Sequence, residues 1–129
     1  MVKALWEERG SKKVIEILKK FKDGEIEIVM PSIAYYEIAN AIRFNKELSK
    51  EEKKEAIENF YLLEIEKMDL TLEEMKECIE IADERNTTIY DTSYYILSKR
   101  LNTIYITADR EFKERIEDKN VILLDDFEI

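Results

Sequence analysis

TIYDTSYYILSKRLNTIYITADREF, residues Thr88 to Phe112, carries the pattern on which the fold turns. It predicts a turn, a helix, a second short turn, the strand Thr103–Thr107 and the start of another helix. Asp91 stands where the first helix begins, and Asp109 stands just past the strand. If that strand is parallel and central, its C-terminal end is where an open α/β sheet places its ligands. Two carboxylates then lie at one sheet edge, each at a helix N-terminus.

Upstream, the same kind of reading gives the partners of this stretch. Residues 1–8 open on VKALWEE, a helical pattern that Gly10 is expected to break. Ser11 can cap the next helix, in which Val14, Ile17, Leu18 and Phe21 recur at helical spacing. Asp23-Gly24 ends it, and Glu25 to Met30 reads as a strand stopped by Pro31. A helix from Ser32 to about Lys46 places Ile33, Glu37, Ala41 and Phe44 on one face, so Glu37 falls within an apolar stripe. Ser49 with Glu52, and Thr71 with Glu74, are capping boxes that open two further helices. The first of these faces Ile57, Phe60 and Tyr61 inward; the second buries Met75, Cys78, Ile79 and Ala82. Between them Glu66 to Leu70 forms a short strand. Downstream, residues 110–116 form a helix, Asp118 to Asn120 a turn, and Val121 to Leu124 a last strand. Strands separated by helices favour a parallel sheet with helices on both faces.

Composition narrows the chemistry. At 129 residues with 45% apolar content, the chain fits one domain, spanning 1–129, with a real core. No apolar run approaches the length that spans a bilayer, no signal peptide is evident, and the lone Cys78 reads as a buried thiol. A cytoplasmic protein is expected. The net charge of −9 argues against nucleic-acid binding through a broad basic surface. It leaves open a metal enzyme acting on phosphodiesters, because a bound cation inverts the local field. The absence of histidine excludes Ser-His-Asp and Cys-His nucleophilic systems and His-ligated zinc.

Taken singly, Asp91 and Asp109 read as helix caps, and Glu37 as a carboxylate on the rim of its stripe. Together they suggest more, since each sits on or beside an apolar face near the end of a strand. Each pair brought to about 4 Å would cost on the order of 4 kcal/mol at an effective dielectric of about 20. Such a cluster persists only if it binds cations or holds protons. Carboxylates select hard ions, so Mg2+ or Mn2+ is the natural occupant.

These residues also carry a resemblance. PSIAYYEIANAIR around Glu37, TIYDTSYYILSKRLN around Asp91 and IYITADREF around Asp109 resemble a PIN-domain protein of the VapC-like toxin type, found in prokaryotic toxin–antitoxin pairs. The resemblance runs from Val2 to about Leu124. It implies a doubly wound α/β fold that cuts RNA with a divalent metal held by Glu37, Asp91 and Asp109. Thr107 then matches the small hydroxyl residue of the family's Thr-Ala-Asp turn and supports the site. Lys99 and Arg110 are the candidates for meeting the RNA backbone. A cognate antitoxin that fills the active-site groove, and a homodimer, are the implied protein partners.

At its start the chain departs from that pattern. The family's first motif is a central apolar strand ending in Asp, and Met1 to Leu5 resembles the residues just after that motif. The expected fold is therefore a PIN-like doubly wound sheet lacking its first strand, with one metal ligand missing. A later start than the natural one, a degenerate relative without activity, or a partner chain filling the gap would each explain it. The missing ligand implies reduced metal affinity and poor turnover. The rival function is a catalytically inactive PIN-like binding module that pairs with an antitoxin or an active relative. A receiver-like or phosphatase-like protein fits less well, because such folds place a phosphoacceptor Asp directly after an early strand and none directly follows the strand 25–30.

Overall fold

Among the described residues the predicted elements form in the predicted order; the strands come out shorter, and the helix expected to run to about Lys46 ends at Arg43. The computed structural model describes residues 8–128, with side chains from residue 13 onward; the expected helical opening before Glu8 lies outside the described residues. The order is α1 (Glu8–Lys22), β1 (Val29–Met30), α2 (Ile33–Arg43), α3 (Lys50–Tyr61), β2 (Glu66–Lys67), α4 (Leu72–Arg85), α5 (Ile89–Arg100), β3 (Tyr105–Thr107), α6 (Arg110–Ile116) and β4 (Val121–Leu123), closed by a 3-10 turn at Leu124–Asp126. No helix among the described residues is long and apolar enough to cross a membrane.

Both capping boxes form, with Ser49 and Glu52 satisfying each other's backbone at α3 and Thr71 and Glu74 doing so at α4. Gly10 does not break α1, which runs through it. A single helical glycine costs only about 1 kcal/mol, and the fully buried Val14 and Ile17 of the same helix outweigh that. The strand expected over 25–30 is cut to Val29–Met30, and that over 66–70 to Glu66–Lys67. On α4 the inward face is narrower than expected: Cys78 and Ala82 are buried, whereas Ile79 is 56% exposed.

The strands pair in parallel as two two-stranded sheets, β1 with β2 and β3 with β4. Helices flank both, which makes the fold α/β. Among the described residues the two sheets share no strand pair. A groove of about 690 Å³ separates them, lined by Ile28, Val29 and Met30 on one side and Tyr105 and Ile106 on the other. Side chains tie the halves together instead. Ile106 and Ala108, from the second half, pack on the core built by Val14, Ile17, Met30, Ile38, Ile42 and Phe60. Tyr94 packs both on that core and on the smaller cluster of Tyr95, Tyr105, Phe112, Ile116 and Val121.

Candidate active site

α2 presents Glu37 from a flank, not from its core face. The residues that α2 buries are Ala34, Tyr35, Ile38 and Ile42, and the expected stripe of Ile33, Glu37, Ala41 and Phe44 lies beside them. Phe44 is 64% exposed, its ring lying under the Arg43 guanidinium at 4.3 Å. Glu37 is half-buried. Its partner is neither solvent alone nor an arginine. The Tyr94 hydroxyl donates to Glu37 Oε1 at 2.6 Å, across 57 residues of chain.

Tyr94 stands one turn into α5 from Asp91. Asp91 is not the cap of that helix: Thr88 is, its Oγ1 accepting from the Asp91 N–H at 3.0 Å. The Asp91 carboxylate is thus half-buried in the first turn, where the positive end of the helix favours an anion. Asp109 does cap its helix, since Asp109 Oδ1 accepts from the Phe112 N–H at 3.1 Å. Thr107 is buried at the end of β3, and its Oγ1 accepts from the Asp109 N–H at 3.1 Å, fixing the turn that carries the acid.

A pair of stacked tyrosines lies among these groups. The rings of Tyr94 and Tyr105 stack at 5.3 Å with 9° between their planes. Burial pushes the Tyr105 phenol well above its ordinary value. A hydrogen bond with Thr107 works the other way, and the negative charges of Asp91, Glu37 and Asp109 add to the rise. The Tyr94 phenol is pushed up too, by burial first and then by its bond to Glu37 and the charges of Glu37 and Asp91. Both tyrosines therefore remain neutral donors at ordinary pH, inside a negative field drawn from three elements.

Carboxylate oxygens are the donors that Mg2+ or Mn2+ takes, and three carboxylates around one tyrosine pair fit such an ion in their chemistry. Among the described residues, however, no three Asp, Glu or Cys side chains already stand together as a ligand group. The two basic candidates differ in setting. Lys99 is engaged with Glu77 Oε1 at 3.0 Å and lies over the Tyr95 ring at 5.6 Å. Arg110 is exposed on the first turn of α6.

Sequence reasoning missed Tyr94 as a member of this constellation, because its spacing with Leu97, Ser98 and Leu101 marks it only as a core position. The available signal was a tyrosine, with a hydroxyl to satisfy, three residues after an acid on the same helix face. A family model described as the PIN domain matches residues 1–117. No curated protein and no solved structure matches the chain.

Proposed function

The chain belongs to the PIN-domain family, whose members are generally nucleases, and on that premise we propose that it is a metal-dependent endoribonuclease of a toxin–antitoxin pair. Glu37, Asp91 and Asp109 would hold one or two Mg2+ or Mn2+ ions. A bound ion of this kind supplies charge neutralisation at the phosphoryl oxygens and a more acidic water. The protein's own share would be to bring together three acids from α2, α5 and the β3–α6 turn. Thr107 steadies the backbone under Asp109. Arg110 and, once released from Glu77, Lys99 would meet the RNA backbone. A cognate antitoxin and a second copy of the chain are the proposed protein partners, and the cytoplasm the proposed compartment.

The observation that carries this reading is the Tyr94–Glu37 bond, which ties an acid of α2 to α5 one turn from Asp91. The test is RNA cleavage with and without Mg2+ or Mn2+, in the native protein and in Asp109→Ala. Cleavage should require the metal, and Asp109→Ala should lose more than the ~10–100-fold that removal of a supporting partner costs. Equal cleavage by Asp109→Ala, or cleavage undiminished by a chelator, would sink the assignment.

One observation favours a second reading, that of an inactive module binding an antitoxin or an active relative. The three acids do not already form a ligand group among the described residues. That reading expects a folded protein that neither binds Mn2+ nor cuts RNA.

A further inference from the structure

We propose that Tyr94 is the positioning residue of this site: its hydroxyl holds Glu37 by one carboxylate oxygen and thereby sets the site's affinity for a divalent cation. The proposal rests on the metal-nuclease reading above and adds to it a residue outside the acid set.

Glutamate on a half-exposed helix flank has three side-chain torsions and many rotamers. A ligand that wanders in this way loses affinity, because ordering it on binding costs entropy. The 2.6 Å bond from Tyr94 removes that freedom before any ion arrives. The bond occupies Oε1 only, and a carboxylate offers about four lone-pair sites. Oε2 remains for a cation.

Tyr94 can act this way because it is itself fixed. Its ring lies flat on Tyr105 and packs against both hydrophobic clusters, so the phenol cannot follow Glu37 outward. Tyr105 in turn belongs to β3, two residues before Thr107, whose hydroxyl accepts from the Asp109 N–H. One rigid aromatic stack therefore sets the position of Glu37 relative to the strand end that carries Asp109, with Asp91 one turn away. A phenylalanine would keep the stack and the packing and lose only the grip on Glu37.

The experiment is a calorimetric Mn2+ titration of the native protein, Tyr94→Phe, Glu37→Gln, the double variant and Asp109→Ala, each also melted without metal. Tyr94→Phe should weaken Mn2+ binding by ~10-fold, within the range for groups that orient metal ligands. In the Glu37→Gln background the same change should have no further effect, because the group it positions no longer ligates. A lower melting temperature with unchanged Mn2+ affinity would make Tyr94 structural only and overturn the proposal. So would an equal loss in both backgrounds. If the native protein binds no Mn2+, the metal reading itself fails and this proposal falls with it. If the native protein binds, Asp109→Ala does not, and Tyr94→Phe binds as the native does, the metal reading stands and the role of Tyr94 is refuted.

Discussion

The two halves of this molecule use the same device, a pair of parallel strands joined through helix, with opposite materials. Between β1 and β2 the chain makes a long excursion through α2 and α3; between β3 and β4 it makes one seven-residue helix, α6. The first half buries a mainly aliphatic core, in which Val14, Ile17 and Ile38 are at most 1% exposed and Tyr35 and Phe60 are the buried aromatics. Three of the five buried residues in the second cluster are aromatic: Tyr95, Tyr105 and Phe112. The aliphatic half gains stability from area removed from water. The aromatic half gains it as well, and its hydroxyls reach outward to place polar groups. The acids divide in the same way. Glu37 comes from the first half, Asp91 and Asp109 come from the second, and Tyr94 is the side chain that packs on both.

That contrast is tested hardest by emptying the smaller core. Phe112 is 3% exposed and packs edge-on against Tyr105 at 5.7 Å. Phe112→Ala should cost about 3–5 kcal/mol, since so small a cluster cannot collapse around the hole. Ile38→Ala in the aliphatic core should cost about 2–5 kcal/mol. Urea unfolding monitored by far-ultraviolet circular dichroism should show one transition in both variants, moved to lower urea. Two resolved transitions in Phe112→Ala would mean that the halves fold independently and that the packing of Tyr94, Ile106 and Ala108 does not couple them.

Legibility in the sequence divides between local and distant signals. Helix starts were legible where the signal is local: Ser49 with Glu52 and Thr71 with Glu74 fall within one turn of each other and form as written. The strands were legible in place but not in length, because pairing needs a neighbour that no local pattern reveals. Residues 25–28 have the composition of a strand and do not pair. The PIN-domain fold was legible from its motifs. Individual faces were less so. The Ile33–Glu37–Ala41–Phe44 row is a flank, because the residues beside it, Ala34, Tyr35, Ile38 and Ile42, meet the core. The Tyr94–Glu37 bond spans 57 positions, and nothing in either neighbourhood encodes the other.

A smaller perturbation probes how the first half is fastened to the second. Ser32 precedes α2 but makes no side-chain cap of its own. Asp69, from beyond β2, supplies the acceptors: its carboxylate accepts from the Ser32 N–H at 2.9 Å and from the Ser32 hydroxyl at 2.6 Å. Arg100 at the end of α5 donates to the Asp69 carbonyl at 3.2 Å, so the joint also touches the second half. Asp69→Ala should cost about 1–2 kcal/mol, as loss of a helix cap does. The Ser32 hydroxyl, then its N–H, holds the Asp69 carboxyl below the ordinary value of 3.8. A depressed carboxyl stabilises the fold above its unfolded value, and the benefit disappears as pH falls through the folded one. The gap between native protein and Asp69→Ala should therefore be constant from neutral pH to about pH 5 and shrink below 3.8. A gap that persists at pH 2 would assign the effect to packing instead.

The smallest change addresses the polar reach of the aromatic half directly. Tyr95 donates to Asp118 Oδ2 at 2.6 Å, and Asp118 Oδ1 accepts from the Asn120 N–H at 2.8 Å, closing the turn into β4. Tyr95→Phe removes one such bond and should cost about 1 kcal/mol near neutrality. Its pH dependence has two limits. The Tyr95 phenol is pushed from 10.0 up to about 12, by burial first and then by the bond to Asp118. A raised phenol contributes stability in full below pH 10.0, and that contribution is lost as pH rises through about 12. Asp118 is held below 3.8 by the Tyr95 hydroxyl and then by the Asn120 N–H, so its share is lost as pH falls through that lowered value. The stability difference between native protein and Tyr95→Phe should thus be a plateau across neutral pH that falls away on both sides. Urea midpoints from pH 3 to pH 12 measure it. A difference of zero at every pH would show that the Tyr95 hydroxyl contributes nothing beyond its ring, and that its 2.6 Å bond to Asp118 does not fasten the second half.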